Sequence, residues 1–206
     1  MSGNEASTGP LIRVRDLAVQ RGERLLFKGL GFELSAGQVL LLRGANGAGK
    51  SSLLMALAGI LRPESGEIRR AEEAGLHLLT YQHGLKARLT VAENLHFWQA
   101  LYGGPGLTIP EALERVGIAA LAGLETGYLS SGQTRRLSLA RLLVSERPIW
   151  LLDEPSATLD AAGEKLLGTL IDAHRQKGGA AVIATHHDLP LAYPAGIETI
   201  VLGAAS

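Results

Sequence analysis

The sequence has no cysteine among its 206 residues. Disulfides, thiolate metal sites and cysteine nucleophiles are therefore excluded, and a cytosolic address fits. It also has no surplus of charge, because 20 Lys and Arg balance 20 Asp and Glu. A global basic field is what nucleic-acid binders use, so the balance argues against a DNA or RNA partner. No apolar stretch is long enough to cross a bilayer, which takes about 20 residues; the longest helix-like one is 53–61. Any membrane role must come through another subunit. The start, 1–10, is small and polar and lacks the basic opening and apolar run of a signal peptide. It is expected to be a frayed tail. There is no internal repeat and no low-complexity linker.

What is present suits one ordinary domain, 11–206. The chain is 46% hydrophobic and 19% charged, enough apolar residues for a full core. Strands are predicted at 11–19, where Ile12 and Val14 alternate with Arg13 and Arg15, and near 27–34. Continuous apolar runs follow at 38–43, 76–80, 149–152, 181–184 and 199–202. Such runs suit strands buried on both faces. With helical patterns between several of them, they predict an α/β domain with a mainly parallel sheet. The stretch from about 85 to 144 differs, showing helical patterns and no strand. In 90–102, Val91, Leu95, Trp98 and Tyr102 share one face at helical spacing, an aromatic stripe most simply read as core. The breakers Gly103-Gly104-Pro105-Gly106 end that helix, and Pro110 opens a second at 111–116.

Gly44-Ala45-Asn46-Gly47-Ala48-Gly49-Lys50-Ser51 fits G-x-x-x-x-G-K-[ST], between a predicted strand and an apolar helix at 52–61. That context supports a phosphate-binding loop. Glycines let the backbone wrap closely around phosphates. Backbone N–H groups and the helix N-terminus, with Ser52 in its first turn, then face the anion. Lys50 places a cation near the β- and γ-phosphates, and Ser51 offers its hydroxyl to Mg²⁺. A chance glycine-rich turn is the competing reading, and the strand–loop–helix setting weighs against it.

Pro148-Ile149-Trp150-Leu151-Leu152-Asp153-Glu154-Pro155 is an apolar run ending in two carboxylates. Asp153, at the strand end, suits the Mg²⁺ shell. Glu154 is placed to accept a proton from an attacking water or to orient it. A solvated acidic turn is the plainer alternative. A second small-residue turn, Leu129-Ser130-Ser131-Gly132-Gln133, feeds another helical stretch through Arg135 and Arg136. It is again an anion-site pattern.

That turn resembles the L-S-G-G-Q signature of the ABC (ATP-binding cassette) ATPases, with Ser131 in place of the first glycine. The resemblance covers 11–201 and implies the P-loop NTPase fold of that family. Its features are a mainly parallel sheet, an antiparallel β portion at the N-terminus and an inserted α-helical subdomain. It implies further roles. Gln82 resembles the glutamine that contacts Mg²⁺ or water and links the site to a transmembrane partner. Asp160 is the acid of Ser156-Ala157-Thr158-Leu159-Asp160, similar to the family's D-loop. His186, in Thr185-His186-His187-Asp188, fits the switch histidine near the γ-phosphate. The two histidines are also readable as a metal pair, but metal ligands on one face need other spacing or further partners. His77, His83, His96 and His174 are expected to be ordinary surface or partly buried residues. Where the family often stacks an aromatic on adenine, this chain has Arg21, whose guanidinium also stacks on a base face.

The resemblance also implies a homodimer. Each ATP and its Mg²⁺ would lie between the Lys50 loop of one chain and the turn of Ser130, Gly132 and Gln133 of the other. Hydrolysis would then release the two chains. Within the family, Arg24-Leu25-Leu26-Phe27-Lys28-Gly29-Leu30, Gln82-His83-Gly84-Leu85-Lys86 and 89–97 resemble the ATP-binding subunits of haem exporters of cytochrome c maturation. That likeness implies integral membrane subunits as partners and a peripheral place on the cytoplasmic face of the inner membrane. It also implies ATP-driven release of a haem-loaded chaperone. No residue here is expected to touch haem, tempting as His83 and His96 are. The other readings are the ATPase of a different small exporter or importer, and a non-transporting repair or ribosome-linked ABC protein. The last usually carries long coiled coils or fused cassettes, and neither is here.

Overall fold

A computed structural model describes residues 9–71, 74–80 and 84–203. The chain opens with two long antiparallel strands, β1 (Ile12–Arg21) and β2 (Arg24–Leu34), joined at Gly22-Glu23. The short strand β3 (Val39–Arg43) leads into α1 (Lys50–Leu57). Next come β4 (Ser65–Arg70) and β5 (Leu76–Leu79). Three helices follow, α2 (Val91–Tyr102), α3 (Ile109–Arg115) and α4 (Ser131–Leu143). The chain then completes β6 (Ile149–Asp153), α5 (Ala161–Gln176), β7 (Ala180–Ala184) and β8 (Ile197–Val201).

The strands form two sheets. One is antiparallel, in the order β2-β1-β4, and the other is parallel, in the order β5-β6-β7-β3-β8. Side chains alternate across a strand, and here both faces of the parallel sheet are covered. Leu40, Leu42, Leu151 and Val182 point to a core shared with α1 and the antiparallel sheet. Val39, Leu152, Ala181 and Ile183 point to a second core built with α2, α3, α4 and α5. Double coverage is why these strands read as unbroken apolar runs.

The expected α/β frame and helical insert are both present, with adjustments. The first strand runs on to Arg21 and the second starts at Arg24, because the chain turns back on itself between them. The first helix begins at Lys50, inside the motif, and ends at Leu57 rather than residue 61; Gly59 then takes a left-handed φ of 78°. Strand β4 has no counterpart in the sequence reading. In the insert, Thr108 rather than Pro110 starts α3, and no named strand falls between 85 and 144 among the described residues. The aromatic stripe of α2 is only partly core. Val91 and Leu95 are fully buried, while Trp98 and Tyr102 are half-buried and stack at 5.4 Å. The Arg141 guanidinium lies 4.3 Å over the Trp98 ring. Among the described residues no helix is long and apolar enough to cross a membrane.

Candidate functional site

Strand β3 ends at Arg43, and the chain must turn at once. Gly44 makes that turn at φ 135°, where a Cβ would lie 2.3 Å from the Leu202 carbonyl oxygen. Gly49 caps α1 in the left-handed region at φ 102°, with the Phe27 ring 3.0 Å from where its Cβ would be. Glycine alone suits both places. The first turn of α1 carries no acidic residue, so its N–H groups and dipole remain available to an anion. Lys50 is buried. Its Nζ donates to the Gly44 oxygen at 2.8 Å and the Ala45 oxygen at 3.3 Å, and lies 3.0 Å from His186 Nε2.

Strands β6 and β7 are neighbours in the sheet, so their C-terminal ends bring Asp153, Glu154 and His186 together. Asp153 closes β6. Glu154 follows with a left-handed φ of 46°, and its N–H donates to the Ala184 oxygen at 2.8 Å. This conformation costs a residue with a side chain on the order of 1 kcal/mol. Thr158, four residues on, is also left-handed, at φ 71°. Glu154 Oε1 lies 3.5 Å from His186 Nε2 and has no hydrogen-bond partner among the described residues. The loop after β7 is pinned: Arg43 donates to Asp188 at 2.7 Å and to the Thr185 oxygen at 3.3 Å. Thr185 Oγ1 accepts the His187 N–H at 3.1 Å, and His187 itself faces solvent.

One cleft of about 400 Å³ joins these parts. Asn46, Gly47, Gly49, Lys50, Ser51 and Ser52 line it from the loop and α1, and Asp153, Glu154 and His186 from the sheet ends. Arg21, Arg24 and Leu26 line it from the β1–β2 hairpin. Of the residues singled out in the sequence, the structure thus gathers the phosphate loop, the two acids, His186 and Arg21. Gln82 lies outside the described residues.

The turn at Ser130 is elsewhere, and neither it nor Asp160 lines this cleft. Ser130 caps α4: its Oγ accepts the Gln133 N–H at 3.2 Å, and Gln133 Oε1 accepts the Ser130 N–H at 2.8 Å. The stretch 156–160 packs on this turn. Thr158 Oγ1 donates to the Ser131 oxygen at 3.2 Å, and a Cβ on Gly132 would lie 3.2 Å from the Thr158 oxygen. Arg135, buried, donates to the Ala157 oxygen, and Arg136 joins Asp160 at 3.1 Å. Asp160 caps α5 by accepting the Gly163 N–H at 2.8 Å. That bond first, and Arg136 second, hold its carboxyl below the ordinary carboxylate range. The turn and the 156–160 stretch therefore form one unit.

The sequence reading missed one buried group. His77 is fully buried rather than at the surface or partly so. Its Nε2 bonds the Ser145 oxygen at 2.7 Å and its ring meets Tyr102 edge-on at 4.8 Å. Burial lowers its pKa to about 4. His174, half-buried and stacked 3.9 Å from the Trp150 ring, is lowered to about 4 by the same cause. His96 is exposed, and His83 lies outside the described residues.

The ABC transporter domain family matches residues 27–157. The cytochrome c biogenesis ATP-binding export protein CcmA of Rhizobium johnstonii is 46% identical over 85% of this chain and 87% of its own length. That of Rhodopseudomonas palustris is 48% identical over 86% of this chain and 92% of its own. An ABC transporter ATP-binding protein of Pyrococcus furiosus superposes with a TM-score of 0.80, over 93% of this chain and 96% of its own, at 24% identity. That last likeness speaks to fold, and its fold is the one described above. A domain match spanning most of the chain, with relatives this similar along most of its length, places it: this protein belongs to the ABC transporter family, as an ATP-binding and ATP-hydrolysing subunit.

Proposed function

We propose that this chain is the ATPase of the haem exporter of cytochrome c biogenesis, powering release of a haem-loaded chaperone. The relatives' name and identity support the assignment. The observation that carries the ATPase chemistry is the meeting of Lys50, Glu154 and His186 in one cleft. Backbone N–H groups of 46–51 and the start of α1 hold the phosphates. Lys50 exchanges the Gly44 and Ala45 carbonyls for β- and γ-phosphate oxygens. Glu154 Oε1 accepts the proton of the water that attacks the γ-phosphorus, and ADP leaves. His186 holds its place between Lys50, Glu154 and the γ-phosphate.

Mg²⁺ suits the donors present. Ser51 and Asp153 line the same cleft, and this ion is held by one or two carboxylates with substrate phosphates rather than by a protein cage. Held by Ser51 and Asp153, the ion would supply positive charge against the phosphates. Asp153 would hold it by way of water, and Gln82 would complete its shell. The unit of Ser130, Gly132, Gln133 and Asp160 serves the nucleotide of a second copy, so that the working form is a homodimer. Arg21 holds the base. Integral membrane subunits of the same exporter bind the dimer at the cytoplasmic face of the inner membrane, and haem itself does not touch this chain.

The test is a haem stain of c-type cytochromes in cells lacking the chain, complemented with wild type, Lys50→Ala or Glu154→Gln. Covalent haem should be lost and return only with wild type. Normal cytochromes in the deletion strain remove the biogenesis role and leave the ATPase intact.

A further inference from the structure

Strands β3 and β7 are neighbours, with Leu42 opposite Ala184. Arg43, the next residue of β3, therefore stands beside the chain as it leaves β7 for the turn that carries His186. The ladder ends there, where the Thr185 N–H donates to the Leu42 oxygen at 3.3 Å. Beyond it, among the described residues, no backbone hydrogen bond of 186–188 leaves the turn: the His187 N–H and carbonyl both meet Thr185 Oγ1. A side chain ties the turn to β3 instead. Arg43 Nη1 donates to the Thr185 oxygen at 3.3 Å and its Nη2 donates to Asp188 at 2.7 Å, so a single guanidinium spans the turn from end to end.

A guanidinium is planar, with N–H donors at fixed spacing, and here its stem is mostly covered, the side chain being 22% exposed. Asp188 is fully exposed, so its charge is screened and the attraction between the two ions adds little to stability. The same bonds matter more for placement. His186 Nε2 is 3.0 Å from Lys50 Nζ and 3.5 Å from Glu154 Oε1, and a shift of about 1 Å in such a constellation lowers a rate by up to about a hundredfold. We infer that Arg43 is a positioning residue for ATP hydrolysis. It stays out of the cleft and acts by holding the 185–188 turn so that His186 sits between Lys50 and Glu154. The inference rests on the role given to His186 above and adds to that site a residue that does not line it.

The test follows ATP turnover by the purified full chain as wild type, Arg43→Ala, Arg43→Lys and Lys50→Ala, with Arg43→Ala repeated in a His186→Ala background. Arg43→Ala should lower kcat about tenfold to a hundredfold, with KM for ATP within about twofold of wild type. Arg43→Lys, whose point charge cannot make both bonds, should recover only part of that loss. In the His186→Ala background Arg43→Ala should cost nothing further, because the two act through one group. Histidine-ring NMR reads the same placement without turnover, and decides the matter where the isolated chain is too slow to follow. The His186 signals, identified by their loss in His186→Ala, should shift in Arg43→Ala while those of His77 and His174 stay. Undiminished kcat in Arg43→Ala would overturn the inference. So would a loss carried by KM alone, an undiminished further loss beside His186→Ala, or NMR signals in which His186 stays put or all three histidines move. If Lys50→Ala turns over ATP as wild type does, the phosphate-loop reading falls and the positioning role with it.

Discussion

A histidine inside a core holds its proton weakly. Burial, working against the bond to the Ser145 oxygen, lowers His77 to about 4, while an exposed histidine titrates near 6.5. The unfolded chain therefore binds the extra proton between those values. The stability that the neutral ring provides is complete above about pH 6.5 and is lost as pH falls toward 4. At pH 5 the loss from this residue should be on the order of 2 kcal/mol, with His174 adding in the same direction. Urea unfolding from pH 7 to pH 5 checks this. The wild type should weaken steeply, and His77→Gln, less stable at neutral pH, should weaken less over the range; a flat wild-type profile rules the idea out. At this scale the residues of 46–52 and the acid pair that meet in the cleft could be picked out as candidates from the sequence, because phosphate chemistry needs fixed residue types at fixed local spacing. His77 could not. It occupies a strand between Leu76 and Leu78, where alternation turns a polar residue outward, and the groups that cover it, Tyr102 and Ser145, come from far along the chain.

Each long helix of the insert, and the short one between them, starts with the same device. Thr90 with Glu93, Thr108 with Glu111 and Ser130 with Gln133 form reciprocal capping boxes. In the first two the threonine bonds hold the glutamate carboxyl below its ordinary range. Such a cap satisfies N–H groups that a helix leaves unpaired at its start. Thr90→Ala should cost about 1 kcal/mol in urea unfolding and leave ATP affinity unchanged, because Thr90 is not part of the cleft. A shifted nucleotide affinity would mean that α2 and the cleft are coupled. The helices were readable from period and breakers. Strand β4 was not, because Ser65-Gly66-Glu67-Ile68-Arg69-Arg70 has one apolar residue in an exposed strand that, among the described residues, pairs with β1 alone. Nor was the shortening of α1, since Ala58 and the apolar Ile60 and Leu61 continue its composition past the turn at Gly59.

For the whole molecule, strand order is what local pattern cannot supply. Strand β3 lies between β7 and β8, which are remote from it in sequence, and that arrangement sets the acids and His186 beside the phosphate loop. The same topology leaves the Ser130 unit outside the cleft, so under the proposed head-to-tail dimer one chain would offer two half-sites. Glu154→Gln, which should keep ATP bound, is expected to elute as a dimer on gel filtration with saturating ATP. Adding Gly132→Leu should return it to monomer with ATP still bound. A monomeric Glu154→Gln protein under those conditions would sink the head-to-tail reading. The left-handed backbone at Glu154 and Thr158 bears on the chain's history as well as its chemistry. Glycine at either position would relieve the backbone there, and at 154 it would also delete the carboxylate. Selection for heat resistance alone would thus drift toward glycine or asparagine at these two positions, gaining durability and surrendering turnover.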